Sequence, residues 1–317
     1  MEYLNSEEVD FAAYLKATET QEKIREAKVY LEKLKNDLLN PKTTPKITMP
    51  WQTTLNKFDF KAGEVTLYAG GNGGGKSLIT GQVAMGLVKQ NQKVCLMSFE
   101  MKPERTLERM TRQFSGENLS NPLLTNRKNM IVDYVNRLIK FTDKKMWLYD
   151  QQGTVTSEQV IAVARYCAIE LGINHIFIDS LMKCVKGEDD YNSQKYFVDE
   201  LTSLARDHQV HVHLVHHIRK NESDKVIPNK FDIRGASAIT DMVDNVFIIY
   251  RNKAKESQIR DGKVVDHEKH PDTYLNCEKQ RNGEYEESHY LWYHKDSQQF
   301  IDDPNGVPMA FDTAGAF

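Results

Sequence analysis

The stretch Gly70-Gly71-Asn72-Gly73-Gly74-Gly75-Lys76-Ser77 is the most diagnostic part of the chain, because it matches the pattern G-x-x-x-x-G-K-[ST]. Residues 64–69 before it alternate as a buried strand would, and residues 78–89 after it carry helical apolar spacing. The pattern is informative only between a strand and a helix, and both are predicted here. The stretch therefore predicts a loop that holds phosphate groups.

Each residue type in this loop has a physical role. Glycines let successive backbone N–H groups face a polyphosphate, and the following helix adds the positive end of its dipole. Lys76 reaches the terminal phosphates and Ser77 can ligate Mg²⁺. We therefore expect binding and hydrolysis of a nucleoside triphosphate; the alternative is a glycine-rich turn with an incidental lysine. The predicted nucleotide-binding residues are Gly71, Asn72, Gly73, Gly74, Gly75, Lys76, Ser77 and Leu78.

Length and composition limit the possible classes of protein. At 317 residues, the chain has room for one large α/β domain with appendages or for two small domains. No apolar run approaches the ~18 residues of a membrane span, and an acidic N-terminus does not fit a signal or transit peptide. The net charge of −3 means that nucleic-acid binding must come from local placement of lysine and arginine.

The cysteines are widely spaced and lack the spacing of metal ligands, so they predict reduced core residues of a cytoplasmic protein. They are Cys95, Cys167, Cys184 and Cys277.

The chain divides into four predicted segments. Residues 1–19 form an N-terminal tail, and residues 20–50 form an amphipathic helix followed by a proline-rich linker. The apolar stripe of this helix packs either on its own domain or in a groove of a neighbouring subunit. Residues 51–300 form one core domain, and residues 301–317 form a C-terminal tail.

Strand and helix patterns alternate through the core domain, which predicts an α/β fold with a mostly parallel sheet covered by helices. Near the end, residues 273–281 and 288–294 predict a β-hairpin around Asn282-Gly283. The other strand-like runs are 64–69, 93–99, 146–150, 175–181, 210–216 and 245–250, and the helical patterns include 104–115, 156–171 and 194–208.

Three strand ends carry candidate catalytic side chains. Asp179 follows an apolar strand and can support Mg²⁺ beside the phosphate loop, although many strands end in Asp at a turn. Glu100 can polarise an attacking water, or it is a solvated residue where a strand ends. His216 and His217 face opposite ways, so they are a poor metal pair; one of them contacts the γ-phosphate or makes only a local hydrogen bond.

Two loops and one strand carry further candidate cations. Lysines, arginines and a helix N-terminus contact DNA phosphates without reading sequence, and the alternative is a solvated surface. Lys279 and Arg281 share a strand face, and in a ring such a pair reaches the neighbour's nucleotide as an arginine finger; a charged edge strand is the alternative. The candidate DNA-binding residues are Lys183, Lys186, Arg219, Lys220, Lys225, Lys230, Arg234 and Gly235.

Taken together, these motifs resemble the RecA-like motor of the hexameric replicative helicases, the DnaB-like family with its phage primase–helicases. The resemblance covers roughly residues 50–300. It implies a RecA-like P-loop NTPase core with a C-terminal β-hairpin and an N-terminal linker helix that docks on the next subunit. The motifs that carry it are Gly70–Ser77, Ser98–Met101, Ile178–Ser180, His216–His217, Asp232–Gly235 and Lys279–Gly283.

The resemblance also implies a role for each motif residue. Glu100 is the catalytic base, Asp179 supports the metal beside Ser77, and His217 senses the phosphate, as in the phage branch. Arg281 acts in trans with Lys279 beside it, while Arg251 and Tyr293 pack on the base of ATP, dTTP or another nucleotide. The acidic residues 188–190 argue against strong DNA contacts by the first loop.

The implied activity is ATP-dependent translocation on single-stranded DNA, in the 5′→3′ direction, with unwinding of the duplex by a homo-oligomeric, hexameric ring. The implied partners are a separate primase, a loader or a polymerase, with no membrane, in the cytoplasm of a bacterium or of a phage-infected host. Two alternatives remain open: a RecA- or RadA-like recombinase, and a KaiC-like regulatory ATPase that binds protein.

Overall fold

The computed structural model describes residues 2–4, 10–14, 27–40, 45–185, 187, 190–219, 226–233 and 235–312. Within these residues no helix has the length and apolar character needed to cross a membrane.

The strands of the described residues form one ten-stranded sheet in the order β1-β4-β3-β5-β6-β2-β7-β8-β9-β10. The first seven strands in this order are parallel, and the last three pair antiparallel. The sheet confirms the predicted mostly parallel core and its C-terminal hairpin. The strands are β1 Glu2–Leu4, β2 Val65–Gly70, β3 Val94–Ser98, β4 Met146–Tyr149, β5 His175–Asp179, β6 His211–His217, β7 Asn245–Arg251, β8 Thr273–Gln280, β9 Ser288–His294 and β10 Gln299–Ile301.

Helices cover both faces of the sheet, because nearly every residue of the central strands is apolar and must be buried on both sides. Leu67 belongs to a core with Val160 of α5, and its neighbour Tyr68 belongs to a second core with Ile79 of α2 and Trp51. The helices are α1 Ala27–Leu39, α2 Lys76–Lys89, α3 Pro103–Ser115, α4 Arg127–Thr142, α5 Ser157–Ile169, α6 Tyr191–His208, α7 Ala236–Met242 and α8 Lys253–Arg260.

The hairpin between β8 and β9 has the predicted centre but a longer turn. Asn276 pairs with Ser288 and Thr273 pairs with Leu291, a register centred on residue 282. Residues 281–287 connect the two strands, because Gln280 turns inward and accepts a hydrogen bond from the Tyr285 N–H at 2.9 Å. Asn282 and Gly283 therefore lie inside a loop that is tied back to the strand.

The N-terminal region contains an element that the sequence did not predict. β1 pairs in parallel with β4, and a 3-10 turn at Phe11–Tyr14 packs along α5. α1 confirms a helix in the predicted amphipathic segment, although the predicted start at residue 20 lies outside the described residues.

β10, near the C-terminus, is fixed to the start of the core, because the Trp51 indole donates to the Phe300 carbonyl at 2.8 Å.

Candidate nucleotide and DNA site

The phosphate loop lies at the carboxyl end of β2, between β6 and β7. A Cβ atom on Gly70 would lie 2.5 Å from the carbonyl oxygen of Ile249, so the neighbouring strand excludes any side chain there. Gly75 has a φ of +91°, and a Cβ on it would lie 3.0 Å from the Phe300 ring. These two positions require glycine because backbone and ring approach closely.

The loop forms one wall of a cavity of about 570 Å³. Four parallel strands end at this cavity, because the carboxyl ends of β2, β3, β5 and β6 meet at the same edge of the sheet. The cavity brings together most of the residues predicted to bind the nucleotide and metal or to act in catalysis. It is lined by Asn72, Gly73, Gly74, Gly75, Lys76, Ser77, Leu78, Glu100, Arg109, Asp179, Met182, Lys183 and His217.

Lys76 is held at the inner end of the cavity by three acceptors. Its Nζ donates to the carbonyls of Gly70 at 3.0 Å and Gly71 at 2.9 Å, and it lies 3.3 Å from Nδ1 of His217. Burial lowers the pKa of Lys76, and the charges of Asp179 and Glu100 act in the opposite direction. The ammonium is therefore partly desolvated, which strengthens its attraction for an anion.

Ser77 and Asp179 form the polar pair next to Lys76. The Ser77 hydroxyl donates to Oδ2 of Asp179 at 2.6 Å. Burial raises the pKa of Asp179, whereas the hydrogen bond from Ser77 lowers it. A buried carboxylate beside a hydroxyl is a site at which a cation would relieve the desolvation cost.

Glu100 faces Lys76 across the cavity. Its Oε1 accepts a hydrogen bond from the Ser180 hydroxyl at 3.2 Å and lies 3.9 Å from Nε2 of His217. His216 is fully buried, on the opposite face of β6, as the strand geometry predicts. The arrangement leaves Glu100 partly exposed to solvent and oriented by two neighbours.

Arg251 and Tyr293 lie beside the loop but do not line the cavity. Arg251 donates to the Gly73 carbonyl at 3.3 Å and is ion-paired with Glu256. Tyr293 packs on Phe300 with ring centroids 5.3 Å apart, and Phe300 is the ring that closes on Gly75. Burial raises the pKa of Tyr293, and the nearby arginines, Arg251 included, lower it.

Arg109 on α3 is a site residue that the sequence analysis missed. It lines the nucleotide cavity and an adjoining cavity of about 600 Å³, and its charge lowers the pKa of Asp179. Among the described residues, the side chain of Arg109 makes no hydrogen bond or ion pair, whereas Arg105 is paired with Glu108. The spacing of Arg105, Arg109 and Arg112 on one helix face was the signal that could have revealed it.

Lys279 and Arg281 lie at the opposite end of the strands from the phosphate loop, near the amino end of β7. Lys279 Nζ donates to the carbonyls of Thr240 at 2.7 Å and Val243 at 2.8 Å, at the end of α7. Arg281 Nη1 lies 3.1 Å from Oδ1 of the buried Asp244. Burial and the neighbouring Arg281 lower the pKa of Lys279.

The separation of this pair from the phosphate loop follows from the sheet register. Asn245 pairs with Gln280, while Ile249, four residues along β7, pairs with Gly70. Asn245 and Ile249 are therefore about 13 Å apart along β7. Arg281 is therefore placed away from the nucleotide cavity of its own chain.

The candidate DNA loops follow β5 and β6 at the same edge as the phosphate loop. Lys183 lines the nucleotide cavity, and an Ile218–Ile233 bridge closes the base of the second loop. Arg219 is exposed. Lys230 instead donates to the Glu278 carbonyl at 3.4 Å, so its ammonium lies toward the opposite end of the strands, near Lys279. Gly235, with a φ of +69°, precedes α7. Lys186, Lys220, Lys225 and Arg234 lie outside the described residues.

The sheet order and the phosphate loop at its carboxyl edge define a P-loop nucleoside triphosphatase with a RecA-like core. A family model described as the DnaB-like helicase C terminal domain matches residues 52–302, and the chain belongs to this family. It is an ATP-hydrolysing replicative DNA helicase, and the match supports this interpretation over the recombinase and the regulatory ATPase.

Two solved structures share the fold. One, described as an ATPase domain, matches with a TM-score of 0.72 and 15% identity over 88% of this chain and 99% of that chain. The other is a DnaB-like replicative helicase, described with its interactions with primase. It matches with a TM-score of 0.69 and 14% identity over 90% of this chain and 68% of that chain.

Proposed function

We propose that the chain is the motor of a homohexameric ring that moves 5′→3′ along single-stranded DNA and unwinds the duplex. The observation that carries this proposal is the shared edge of the sheet. Lys76, Glu100, Asp179 and His217 surround one cavity there, and the candidate DNA loops begin at the ends of the same strands. A structural change at the bound nucleotide would therefore reach the DNA loops over a short distance.

Ser77 and Asp179 are the residues that would hold Mg²⁺. Their oxygens lie 2.6 Å apart, and the carboxylate is buried with a raised pKa, which fits a cation site. Among the described residues no group of three or more His, Cys, Asp or Glu could hold a metal alone. This fits Mg²⁺, which is usually bound by few protein ligands together with substrate phosphates and neutralises their charge during phosphoryl transfer.

Glu100 would act as the general base. Ser180 and His217 orient its carboxylate at the open side of the cavity, where it can accept a proton from an attacking water. Lys76 and the loop N–H groups would bind the phosphates of ATP, or of another nucleotide such as dTTP. Arg251 and Tyr293, beside the loop, would pack on the base.

The ring would be assembled through α1. Its Leu31, Leu34 and Leu38 are 62%, 52% and 71% exposed, an apolar stripe on the surface of its own chain. We propose that this stripe docks on the next subunit, where it would be buried. Residues 20–50 would thus act as the subunit linker, residues 51–300 as the motor, and residues 1–19 and 301–317 as terminal segments.

The same ring would use Arg281 in trans. Its own phosphate loop is about 13 Å away along the sheet, so the residue can serve only a neighbour's nucleotide. Its side chain is 38% exposed, and Lys279 lies beside it. An arginine finger of this kind increases the rate of hydrolysis by a factor of roughly 10³–10⁵.

The DNA would thread through loops that bind phosphates. The exposed Arg219 and Gly235 at the start of α7 support this surface. Lys230 also belongs to the proposed set, although its ammonium is bound to the Glu278 carbonyl. The proposed set also contains Lys183, Lys186, Lys220, Lys225 and Arg234. A primase, a loader or a polymerase would join the ring, in the cytoplasm of a bacterium or of a phage-infected host.

The decisive experiment is ATP-driven unwinding of forked duplexes that carry only a 5′ tail, only a 3′ tail, or both. We expect unwinding that requires the 5′ tail and is absent in Lys76→Ala, with Lys89→Ala at the far end of the same helix as the matched control. Unwinding that needs only the 3′ tail would contradict the direction. Steady ATP hydrolysis without unwinding of any fork would contradict the motor.

A further inference from the structure

A second cavity lies beside the nucleotide cavity, on the side of α3. Its volume is about 600 Å³, and we call it the adjoining cavity. The two cavities share a wall, because Ser77, Glu100, Arg109 and Asp179 line both. They therefore meet at the residues proposed to hold the metal and to activate water. The outer wall, which belongs to the adjoining cavity alone, consists of Ser98, Met101, Arg105, Glu108, Arg112 and Gln298.

The charge of the lining changes from the shared wall to the outer wall. The shared wall contains two carboxylates and one arginine, so its net charge is negative. The outer wall contains the cations Arg105 and Arg112 and a single carboxylate, Glu108. An anion that moves outward from the shared wall therefore passes from a negative to a positive potential.

The outer wall is held in place by hydrogen bonds between α3 and the turn before β10. Arg112 donates from Nε to the Asp296 carbonyl at 3.1 Å and from Nη2 to the Lys295 carbonyl at 3.0 Å. The side-chain amide of Gln113 donates to the Gln298 carbonyl at 3.1 Å. Both partners of Arg112 are neutral carbonyls, so its positive charge still attracts an anion. The adjoining cavity is thus formed before a ligand enters it.

Gln298 adds an acceptor to this wall. Its Oε1 atom is buried and has no hydrogen-bond partner among the residues that the structure describes. A buried acceptor without a partner carries a desolvation cost, which a donor on a ligand would remove. A matching ligand therefore has negatively charged oxygens for the arginines and an O–H group for Gln298. Inorganic phosphate near neutral pH has both.

We propose that the adjoining cavity binds inorganic phosphate and is the route by which this product of ATP hydrolysis leaves the nucleotide cavity. The inference rests on the proposed placement of the terminal phosphate beside Lys76. After hydrolysis, the carboxylates of Glu100 and Asp179 and the charge of ADP repel the free phosphate. Arg109, which lines both cavities, and Arg105 on the outer wall attract it outward.

Inorganic phosphate itself is the probe, added to the full chain during steady-state ATP hydrolysis with single-stranded DNA. Potassium chloride at equal ionic strength is the reference. Because the outer wall lies beyond the place of the terminal phosphate, added phosphate can bind there while ATP is bound and delay the departure of the product. We expect phosphate to lower kcat at saturating ATP. No inhibition, or inhibition that saturating ATP abolishes, would overturn the proposal.

Two variants add negative charge to the outer wall without touching the nucleotide cavity. Arg105→Glu replaces an exposed side chain, and Gln298→Glu keeps nearly the same shape. In each, the phosphate concentration that halves kcat should rise about tenfold, as for the loss of one charged contact. Arg260→Glu, at the exposed end of α8, is the matched control and should change it less than about threefold. Phosphate that acts only in the nucleotide cavity would be insensitive to the outer wall, so equal effects of all three substitutions would overturn the site.

Fork unwinding is measured on the same samples, which separates this inference from the proposed motor. A wild-type protein that unwinds forks but shows no phosphate inhibition at saturating ATP would overturn the phosphate route and leave the motor intact. The expected inhibition and its loss in Arg105→Glu, in a protein that unwinds no fork, would support the phosphate route and contradict the motor.

Discussion

The ammonium of Lys76 lies 3.3 Å from Nδ1 of His217, and the other ring nitrogen of His217 lies 3.9 Å from a carboxylate oxygen of Glu100. Because a lysine ammonium only donates, Nδ1 accepts and the neutral ring carries its proton on Nε2, toward Glu100. One imidazole therefore connects the residue proposed to bind phosphate with the residue proposed to activate water. We expect a change in the position of Lys76 to alter the position of Glu100 through this ring.

This connection predicts that His217 couples hydrolysis to DNA. His217→Ala should bind ATP with nearly unchanged affinity. The factor by which single-stranded DNA stimulates its hydrolysis should fall roughly tenfold, which is a typical coupling between two sites. His217→Gln keeps a donor and an acceptor and should retain most of it. Steady-state hydrolysis with and without DNA measures the factor. Full stimulation in the alanine variant would show that the ring has no coupling role.

Arg109 should contribute directly to nucleotide binding or turnover. It faces Asp179 from α3, and its guanidinium can reach a phosphate bound in the cavity. Arg109→Ala should lower kcat/KM for ATP by about 10- to 100-fold, as expected for the loss of one charged hydrogen bond. Arg105→Ala, which removes an exposed ion pair four residues away on the same helix, is the control and should change it by less than about threefold. Equal effects of the two substitutions would argue against a specific contact.

The proposed trans action of Arg281 predicts complementation. Glu100→Gln subunits and Arg281→Ala subunits should each be inactive when assembled alone. In an equal mixture, about one subunit boundary in four joins an intact Glu100 to an intact Arg281, because each side has one chance in two. Hydrolysis should reappear at about that fraction of the wild-type rate.

The mixture needs one structural control, because Arg281 also holds the buried Asp244. Thermal unfolding of Arg281→Ala should show that the fold is retained, and nucleotide binding should stay within a few-fold of the wild type. A folded variant that fails to complement Glu100→Gln would place Arg281 outside the neighbour's site.

Two adjacent glycines should respond differently to alanine. A Cβ at Gly70 would lie 2.5 Å from a backbone oxygen of β7, whereas a Cβ at Gly71 would have no atom within 4 Å. Gly70→Ala should lower the free energy of unfolding by about 1–3 kcal/mol, because the strand must move. Gly71→Ala should leave it nearly unchanged. Chemical denaturation of both variants measures the difference.

Three buried histidines, one on β5 and two on β6, should make stability depend on pH. His175 and His213 lie 3.1 Å apart, and Phe60 packs on their rings and on His211. Burial lowers the pKa of all three below 6.5, to about 4 for His211. The unfolded chain then binds more protons, so the stability is complete above pH 6.5 and is lost as the pH falls toward 4.

His211 alone should contribute about 3 kcal/mol to this loss. Urea unfolding at a series of pH values between 7.5 and 4.5 measures it, and His211→Asn should flatten the curve. A stability that does not change over this range would mean that the three rings titrate with the same pKa in the folded and the unfolded chain.

Much of this molecule follows from local patterns. The glycine-rich loop between a strand and a helix predicted the phosphate site, and the apolar runs predicted the strands within one or two residues at most ends. Glu100, Asp179 and His217 could be associated with Lys76 because each ends a strand, and parallel strands end at one edge of a sheet. Their catalytic roles remain predictions.

Other features depend on residues that are distant in the chain. Arg109 faces the cavity only because α3 packs beside α2, and β1 exists only because the β4 edge is available to pair with it. The separation of Arg281 from Gly70 is likewise a matter of sheet register. The order of amino acids determined the elements and the chemistry of the loop, since both rest on short-range backbone preferences and side-chain type. Which side chains share a cavity was decided by tertiary packing, since burial and strand pairing act between segments that local preferences do not connect.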